Sequence, residues 1–428
     1  MGVAVGNAAT KDVRLTVEQR ALESPAGVSE PVFPLKSIAM LLSLLAGGLV
    51  ALGLQDGGGG ALWPDALKAF GVSKGAFGFL SGVGAVLALP VLLLGARLTS
   101  RFDKRLLMAV SSSLMALVTI GLSFGTGIAL FAVLLAIRAI AVTLLDLSTN
   151  AVVMDVEART KRHLMSPLHA GYSGGAVAGA GLAWAAFSLG GGMRAVYLIL
   201  TALFAIYTVL IVRERRNRPY VRQRMTVAGA STKTFGLLRR RDVRAFAILC
   251  AVSFSGEQLI SQWIGIYLRD ERGYSPSTGA FAVIALGSTM VVGRIANGPL
   301  TAKAGPRAAM FFQGAMTLAG GLLMISASGA ALIIAGCALA GLGMAGVAPT
   351  TLSLAGKAVP EASGAASGAA LLGGYAGIAI NPFFAGAVAS TISVRVVLAG
   401  VLVAGTVILA TAFRLRSIMG DDVSPVRA

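Results

Sequence analysis

Long apolar stretches, separated by short polar turns, recur along the chain from residue 37 to residue 414. Most reach the roughly 20 residues that an α-helix needs to cross the hydrocarbon core of a bilayer. The pattern predicts twelve transmembrane helices, at residues 37–64, 75–97, 105–125, 127–154, 167–190, 193–213, 243–268, 276–300, 307–327, 329–356, 364–389 and 393–414. Several exceed the minimum length, so tilted or kinked helices are expected, with Pro64, Pro90 and Pro382 marking kinks or ends.

Composition supports the same fold class. Of the 428 residues, 56% are hydrophobic and only 13% are charged, and the mean hydropathy is +0.81, values typical of an all-α integral membrane protein. Cys250 and Cys337 lie inside apolar stretches, without the spacing of a metal site or a disulfide framework. The first 36 residues contain no apolar core with a cleavage site, so no cleavable signal peptide is predicted.

The basic residues predict the orientation. With the N-terminus inside, cytoplasmic segments hold 28 Lys and Arg residues and outer loops hold six. This bias predicts that both termini face the cytoplasm, and we expect a multi-pass protein of the inner (cytoplasmic) membrane. The net charge of +18 then reflects cytoplasmic loops beside anionic lipid headgroups, so a nucleic-acid partner is not expected.

An internal repeat divides the chain. Residues 96–105, ARLTSRFDKR, and residues 298–307, GPLTAKAGPR, share Leu, Thr, a basic residue and a final Arg at an offset of 202 residues. We predict two six-helix pseudo-repeats around a central cavity. The chain is thus divided into five predicted regions: a cytoplasmic tail at 1–36, the first half at 37–213, a basic linker at 214–242, the second half at 243–414 and a second cytoplasmic tail at 415–428.

The motif GLGMAG at residues 341–346 matches the dinucleotide-binding fingerprint. The fingerprint requires a strand, a turn and a helix of a soluble βαβ unit, whereas this stretch lies in a predicted transmembrane helix. Its glycines are better explained by close helix packing. We therefore expect no nucleotide and no other cofactor.

Polar residues inside the predicted fourth helix suggest function, because burying a charged group in a membrane is costly. Asp146 and Asn150 are four residues apart and share one helix face. Asp146 is our first candidate for proton coupling. Arg138 precedes it by eight residues, about 12 Å along the axis, so its partner is expected on another helix.

The predicted seventh helix carries Ser253, Glu257 and Ser261 at i, i+4 and i+8, a polar stripe that Gln258 widens. Such a face suits a water-filled cavity, with Glu257 as a coupling or binding group; an interhelical hydrogen-bond clasp is the alternative. Trp263 is a further substrate-binding candidate on this helix.

Other candidates lie in helices 1, 5, 8 and 11. Gln55 and Asp56 precede four glycines, which predict either unwound backbone at a ligand site or close helix packing. Asn381 precedes Pro382 in helix 11, as a polar contact or within a packed kink. His169 is expected to close a hydrogen-bond network at the start of helix 5. Arg294 is expected to reach the cytoplasmic interface in a structural role.

The two repeated segments resemble the short loop motif of the major facilitator superfamily, with Arg101, Arg105, Lys303 and Arg307 at its basic positions. The motif's acid is replaced by Ser100 and Ala302, so the latch that this acid provides in the superfamily is not expected here. The sequence LDLSTN at residues 145–150 is similar to the acid and Asn pattern in helix 4 of fucose permease. Asp56 and Glu257 also stand where that branch places polar residues.

The resemblance implies a secondary transporter that takes up a small polar solute, which could be a sugar, together with protons by alternating access. We expect no enzymatic activity and a monomer surrounded by lipid. Two alternatives are an exporter of metabolites or drugs, and a membrane sensor or assembly protein that has lost transport.

Overall fold

The computed structural model describes the backbone of residues 35–160, 165–217 and 236–419. Side chains are described from residue 44 onward, apart from residue 96 and the residues around 158–170, 216–235 and 416–428. The contacts separate residues 1–43 from residues 44–428, and all contacts described below lie within the second part. The predicted tails, most of the basic linker and the His169 side chain lie outside the described residues.

The first half consists of seven helices that form six membrane-length segments. They are α1 Leu35–Phe70, α2 Lys74–Leu93, α3 Gly95–Arg101, α4 Lys104–Phe124, α5 Ile128–Thr160, α6 Met165–Ser188 and α7 Gly192–Asn217. α2 and α3 form one segment, interrupted at Leu94 four residues after Pro90.

The second half has the same order of segments. Its elements are α8 Arg241–Ile266, a π turn Tyr267–Glu271, α9 Pro276–Ser326, α10 Ala330–Met344, α11 Val347–Ala358, a 3-10 turn Pro360–Ala362, α12 Ser363–Thr391 and α13 Val394–Met419. Ser275 caps α9 by accepting from the Thr278 amide, with Pro276 at the first helical position. α9 covers the predicted helices 8 and 9.

The kink in α9 supports the sequence repeat. Gly305 has a φ of 81°, a left-handed conformation that favours glycine, and it divides α9 into two arms. Subtracting the 202-residue offset gives position 103, where Asp103 caps α4 by accepting from the Arg105 amide at 2.9 Å. The chain therefore turns at equivalent positions of the two halves.

One predicted helix end and two predictions about interruptions within helices are wrong. α1 continues through Pro64 to Phe70 rather than ending near residue 64. The predicted tenth helix is interrupted between α10 and α11, at the Ala345 and Gly346 of GLGMAG, although its glycines do pack closely against neighbouring backbone. α12 runs without interruption through Asn381 and Pro382.

Nine helical stretches in the described residues have the length and hydropathy to cross a membrane, one of them the two-armed α9. Large apolar side chains such as Phe79, Ile295 and Phe384 are exposed on the helix surfaces, as expected for contact with lipid.

The two halves meet along α2 with α12 and along α6 with α9. We call the end where α1 passes into α2 the aromatic end, and the end with the turn from Arg101 to Lys104 the motif end. At the aromatic end a single apolar core includes buried residues of both halves, among them Trp63, Phe77 and Trp263. By the predicted orientation, the aromatic end faces outside.

Candidate functional site

Asp56 of α1 and Arg138 of α5 form an ion pair within the first half. Arg138 Nη2 donates to Asp56 Oδ1 at 3.0 Å, and the guanidinium lies over the Trp63 ring, 5.6 Å from its centroid. The Tyr172 hydroxyl of α6 donates to the second oxygen of Asp56. The expectation that Arg138 finds its partner on another helix is confirmed.

Glycines allow this arrangement. α1 is helical through the four-glycine run, so this stretch is not unwound. A side chain at Gly53 or Gly57 would overlap the backbone of α6, and one at Gly60 would overlap the backbone of α8. Close packing is therefore the function of these positions, and it brings Tyr172 within reach of Asp56.

Glu257 of α8 pairs with Arg294 of α9 in the second half, with 3.6 Å between Arg294 Nη2 and Glu257 Oε1. Arg294 Nη1 also donates to the Ser173 hydroxyl of α6, in the first half. The expectation that Arg294 reaches the membrane interface is wrong, because its side chain crosses between the halves.

The two ion pairs meet at α6, where Tyr172 and Ser173 are consecutive. We call Asp56, Arg138, Tyr172, Ser173, Glu257 and Arg294 the central charge cluster. Glu257 and Asp56 act on each other electrostatically, and Tyr172 is within range of Glu257 and Arg294. The cluster holds two carboxylates and two guanidiniums, so its formal charges balance.

The cluster is accessible. The exposed fraction of the side chain is 44% for Asp56, 33% for Glu257 and 36% for Arg294, whereas Arg138 is 17% exposed. These values are high for charged groups placed within membrane-spanning helices, which fits a solvated space between the halves.

Asp146 and Asn150 lie in a separate layer. Asn150 Nδ2 donates to Asp146 Oδ1 at 2.9 Å, as their shared helix face predicts. Asp146 follows Arg138 by eight residues, so it is about 12 Å farther toward the motif end. Tyr375 of α12 is within electrostatic range of Asp146, which places this acid, too, near the opposite half.

The remaining candidates on α8 are distributed around the cluster. Ser253 is buried, and the Ser261 hydroxyl donates to the Gln258 carbonyl at 3.3 Å. Gln258 Oε1 is buried without a hydrogen-bond partner in the described part of the chain. Trp263 is 1% exposed, and its ring centroid lies 5.5 Å from that of Phe77 across the halves.

Two substrate-binding candidates lie outside α8. Gln55 is fully buried, and neither of its side-chain polar atoms has a partner among the residues described. Asn381 is half-buried on α12, next to a Pro382 whose carbonyl lies against Gly78 of α2. Pro382 therefore belongs to a close packing contact between the halves.

Two ion pairs that sequence reasoning missed join the halves at the aromatic end. Arg269 pairs with Asp65 of α1, and Lys74 Nζ lies 3.3 Å from Asp270 Oδ2. A single sequence carries no signal that pairs Arg269 with α1 or Asp270 with α2. Tyr172 was missed for the same reason.

The loop-motif residues make contacts within their own halves. Lys104 Nζ lies 2.6 Å from Asp155 Oδ2, a pair in which the side chains are 11% and 3% exposed. Asp103 binds Arg215 of α7 at 3.0 Å and lies 3.7 Å from Arg105, which is buried. Arg101, Lys303 and Arg307 are exposed.

A cavity of about 630 Å³ opens at the aromatic end rather than at the charge cluster. Its lining includes Asp65 and Lys68 from the first half and Pro276 from the second. Asp65 is nine residues beyond Asp56 on α1, about 13 Å along the helix, so this opening is a surface feature distinct from the cluster. Within the described residues, no group of three or more His, Cys, Asp or Glu side chains could hold a metal ion.

Sequence relatives of the chain are transporters. It is 27% identical over 343 residues to an uncharacterized MFS-type transporter of Yersinia pestis, covering 78% of this chain and 85% of the relative. It is 25% identical over 362 residues to an uncharacterized transporter of Sinorhizobium fredii, covering 82% and 92%.

Solved structures share the fold. A mutant of the nucleoside transporter NupG superposes with a TM-score of 0.73 at 12% identity, covering 89% of this chain and 99% of that one. A bacterial homolog of the human lysosomal transporter Spinster, in an inward-facing and unoccupied conformation, gives a TM-score of 0.65 at 14% identity over 90% and 95%. The predicted all-α fold, with twelve transmembrane helices in two six-helix halves, is confirmed. Residues 44–382 match the sequence profile of the Major Facilitator Superfamily, and the chain belongs to that family.

Proposed function

We propose that this multi-pass membrane transport protein moves a small polar solute by alternating access, with the central charge cluster as its binding site and protons as the coupling ion. The observation that carries the proposal is the meeting of Asp56–Arg138 from one half and Glu257–Arg294 from the other at α6. A site shared by two halves is the kind that rocking motions expose alternately to the two sides.

The closed aromatic end supports an assignment of state. Ion pairs, aromatic contacts and close glycine packing join the halves there. With both termini cytoplasmic in a bacterial inner membrane, this state is closed toward the outside. Reporters fused within the 214–242 linker and at both termini test the orientation: all should report cytoplasm, and an external signal at any of them contradicts it.

Charge balance in the cluster favours an uncharged or zwitterionic polar solute. A solute with a net charge would leave one carboxylate or guanidinium of the cluster without compensation, at a site between membrane-spanning helices. Hydroxyl-rich solutes such as sugars satisfy both carboxylates and guanidiniums with hydrogen bonds. Nucleosides belong in the same screen, since a structural neighbour is described as a nucleoside transporter.

The experiment is a thermal-shift screen of the purified protein against sugars, nucleosides, amino acids and organic acids, followed by uptake into proteoliposomes under an imposed pH gradient. A stabilising solute should accumulate when the gradient is present and equilibrate when it is absent. Accumulation only with the opposite gradient would favour an exporter. Failure of every solute to stabilise or move would favour a sensor or assembly role.

The coupling acid is identified by three variants in the same assay. Glu257→Gln keeps the shape of the side chain and removes its charge, so solute affinity should fall while the protein stays folded. Asp56→Asn removes the charged partner of Arg138, and solute affinity should fall in this variant too. Asp146→Asn should leave exchange intact and abolish uphill accumulation if Asp146 carries the proton; normal accumulation with normal pH dependence would assign coupling to the cluster.

A further inference from the structure

We propose that Tyr172 and Ser173 are positioning residues that make the carboxylates of the two halves respond as one unit. This inference rests on the proposed transport function and names the residues through which one half senses a proton bound to the other. Tyr172 holds Asp56, and Ser173 holds Arg294 of the opposite half. Because the two residues are consecutive in one helix, a displacement of either hydrogen bond is transmitted to the other.

Arg294 has partners in both halves. In its own half it is 3.6 Å from Glu257, longer than the 2.7–2.9 Å typical of a charge-assisted hydrogen bond. In the other half it donates directly to the Ser173 hydroxyl. The Arg294 guanidinium therefore lies closer to the Ser173 hydroxyl of α6 than to the Glu257 carboxylate of its own half. A change in the charge of Glu257 can therefore shift Arg294 between these two partners.

The groups that face Glu257 determine what a proton does there. They are Arg294 from α9, Asp56 from α1 and, through Asp56, Tyr172 from α6. A proton on Glu257 removes the Coulomb attraction that draws Arg294 toward α8. Arg294 then keeps its contact with Ser173, and the halves stay joined in the state with the aromatic end closed. An ionised Glu257 competes for Arg294 and weakens this contact.

Tyr172 fixes the second carboxylate. Its hydroxyl and Arg138 hold the two oxygens of Asp56, which keeps this negative charge close to Glu257. Two neighbouring carboxylates disfavour being ionised together, so the position of Asp56 affects how readily Glu257 binds a proton. Tyr172 therefore influences proton binding without itself exchanging the proton.

The test measures conformation and needs no solute. The full-length protein in lipid nanodiscs carries spin labels at Leu189→Cys and Ile392→Cys, which lie at the aromatic end in different halves and are 86% and 66% exposed. The native Cys250 and Cys337 are buried, which limits background labelling. The population with the short distance between labels is followed from about pH 5 to about pH 8.

Acid should increase the short-distance population, and Glu257→Gln should keep it high at every pH. Ser173→Ala should lower the ratio of the short-distance to the long-distance population about fivefold, as expected for the loss of one hydrogen bond, and flatten its pH response. Ser173→Thr keeps the hydroxyl and should restore both. Tyr172→Phe should shift the pH midpoint, while the matched control Tyr207→Phe, whose hydroxyl donates to the Leu44 carbonyl at 2.9 Å, should titrate as the wild type.

A wild-type titration in Ser173→Ala and Tyr172→Phe overturns the inference even if solute transport is normal. If Ser173→Ala does not fold, Arg294→Gln removes the same hydrogen bond from the other side, and a wild-type titration in that variant overturns the inference equally. The opposite combination is also informative. If the pH response depends on Ser173 but the protein moves none of the solutes screened, the proposed transport is contradicted and the positioning role remains.

Discussion

The two ends of the molecule are held in different ways. At the aromatic end the ion pairs Asp65–Arg269 and Lys74–Asp270 cross between the halves, and one apolar core is shared by both. At the motif end, the ion pairs Lys104–Asp155 and Asp103–Arg215 each lie within one half. A separate apolar cluster around Phe246 and Ile408 belongs to the second half alone.

The difference separates two kinds of contact. A contact within one half exists in every orientation of the halves, so its loss lowers the stability of the protein in all states. A contact between halves exists in one state, so its loss changes the populations of states. Four substitutions test this distinction, from the largest expected effect to the smallest.

Asp155→Asn should have the largest effect, on stability. It leaves the Lys104 ammonium buried without its carboxylate, which costs about 3–5 kcal/mol for a pair this well buried. Thermal unfolding in detergent should show a lower midpoint, with spin-label distances across the aromatic end unchanged. The double variant Lys104→Met, Asp155→Leu should recover most of the loss, and a double variant as unstable as the single one would contradict this account.

Gly60→Ala should open the aromatic end. Its Cβ would overlap the Ser261 carbonyl of the opposite half, and overpacking of this kind costs about 1–3 kcal/mol. The distance between labels at positions 189 and 392 should lengthen, because the halves can separate to relieve the overlap. Gly59→Ala is the matched control, since its Cβ would lie 3.8 Å from Trp63, an ordinary contact. Equal distances in the two variants would rule out the close approach of α1 and α8.

Asp65→Asn should produce a smaller opening. The pair with Arg269 is partly exposed, so its loss is expected to change the ratio of states about fivefold, near the upper limit of about 1 kcal/mol for such pairs. The exchanged pair Asp65→Arg, Arg269→Asp should restore the closed population in the same distance measurement. Failure of the exchange would mean that these residues act through other contacts.

Lys74→Met should have the smallest effect, about twofold on the ratio of states, because its pair with Asp270 is more exposed. Raising the salt concentration should reduce the difference between this variant and the wild type, since exposed charges are screened. A difference that grows with salt would exclude an ionic contact as its cause.

Much of the fold could be predicted from the sequence. The lengths of the apolar stretches identified the membrane-spanning segments, and the repeated segments at residues 96–105 and 298–307 located the turn at Gly305. Both features depend on the local amino-acid sequence. The break in the helix at Ala345 and Gly346 and the continuation of α1 through Pro64 could not be predicted in this way. Both depend on packing: Gly346 fits against the amides of Asn297 and Gln313, which are hydrogen-bonded to each other at 2.7 Å.

Three of the four charged members of the candidate site were predictable from the sequence, whereas the fourth, Arg294, and the pairings were not. Asp56, Arg138 and Glu257 stand out because charges are rare in apolar helices. Tyr172 and Ser173 do not stand out, since a hydroxyl in a glycine-rich helix is ordinary. Their importance comes from α1 and α9 approaching the same turn of α6, a juxtaposition of segments more than 100 residues apart.

The π turn at Tyr267–Glu271 has a mechanical consequence. Its wide turn presents three consecutive charged side chains to three different partners: Arg269 to Asp65, Asp270 to Lys74, and Glu271 to the amides of Val394 and Arg395 at 2.5 and 3.1 Å. Glu271 thereby anchors the turn to its own half. The two ion pairs to the other half act together, as the two donor atoms of a chelating ligand do. Once one pair has formed, the other forms at high effective concentration, so the two pairs form and break cooperatively.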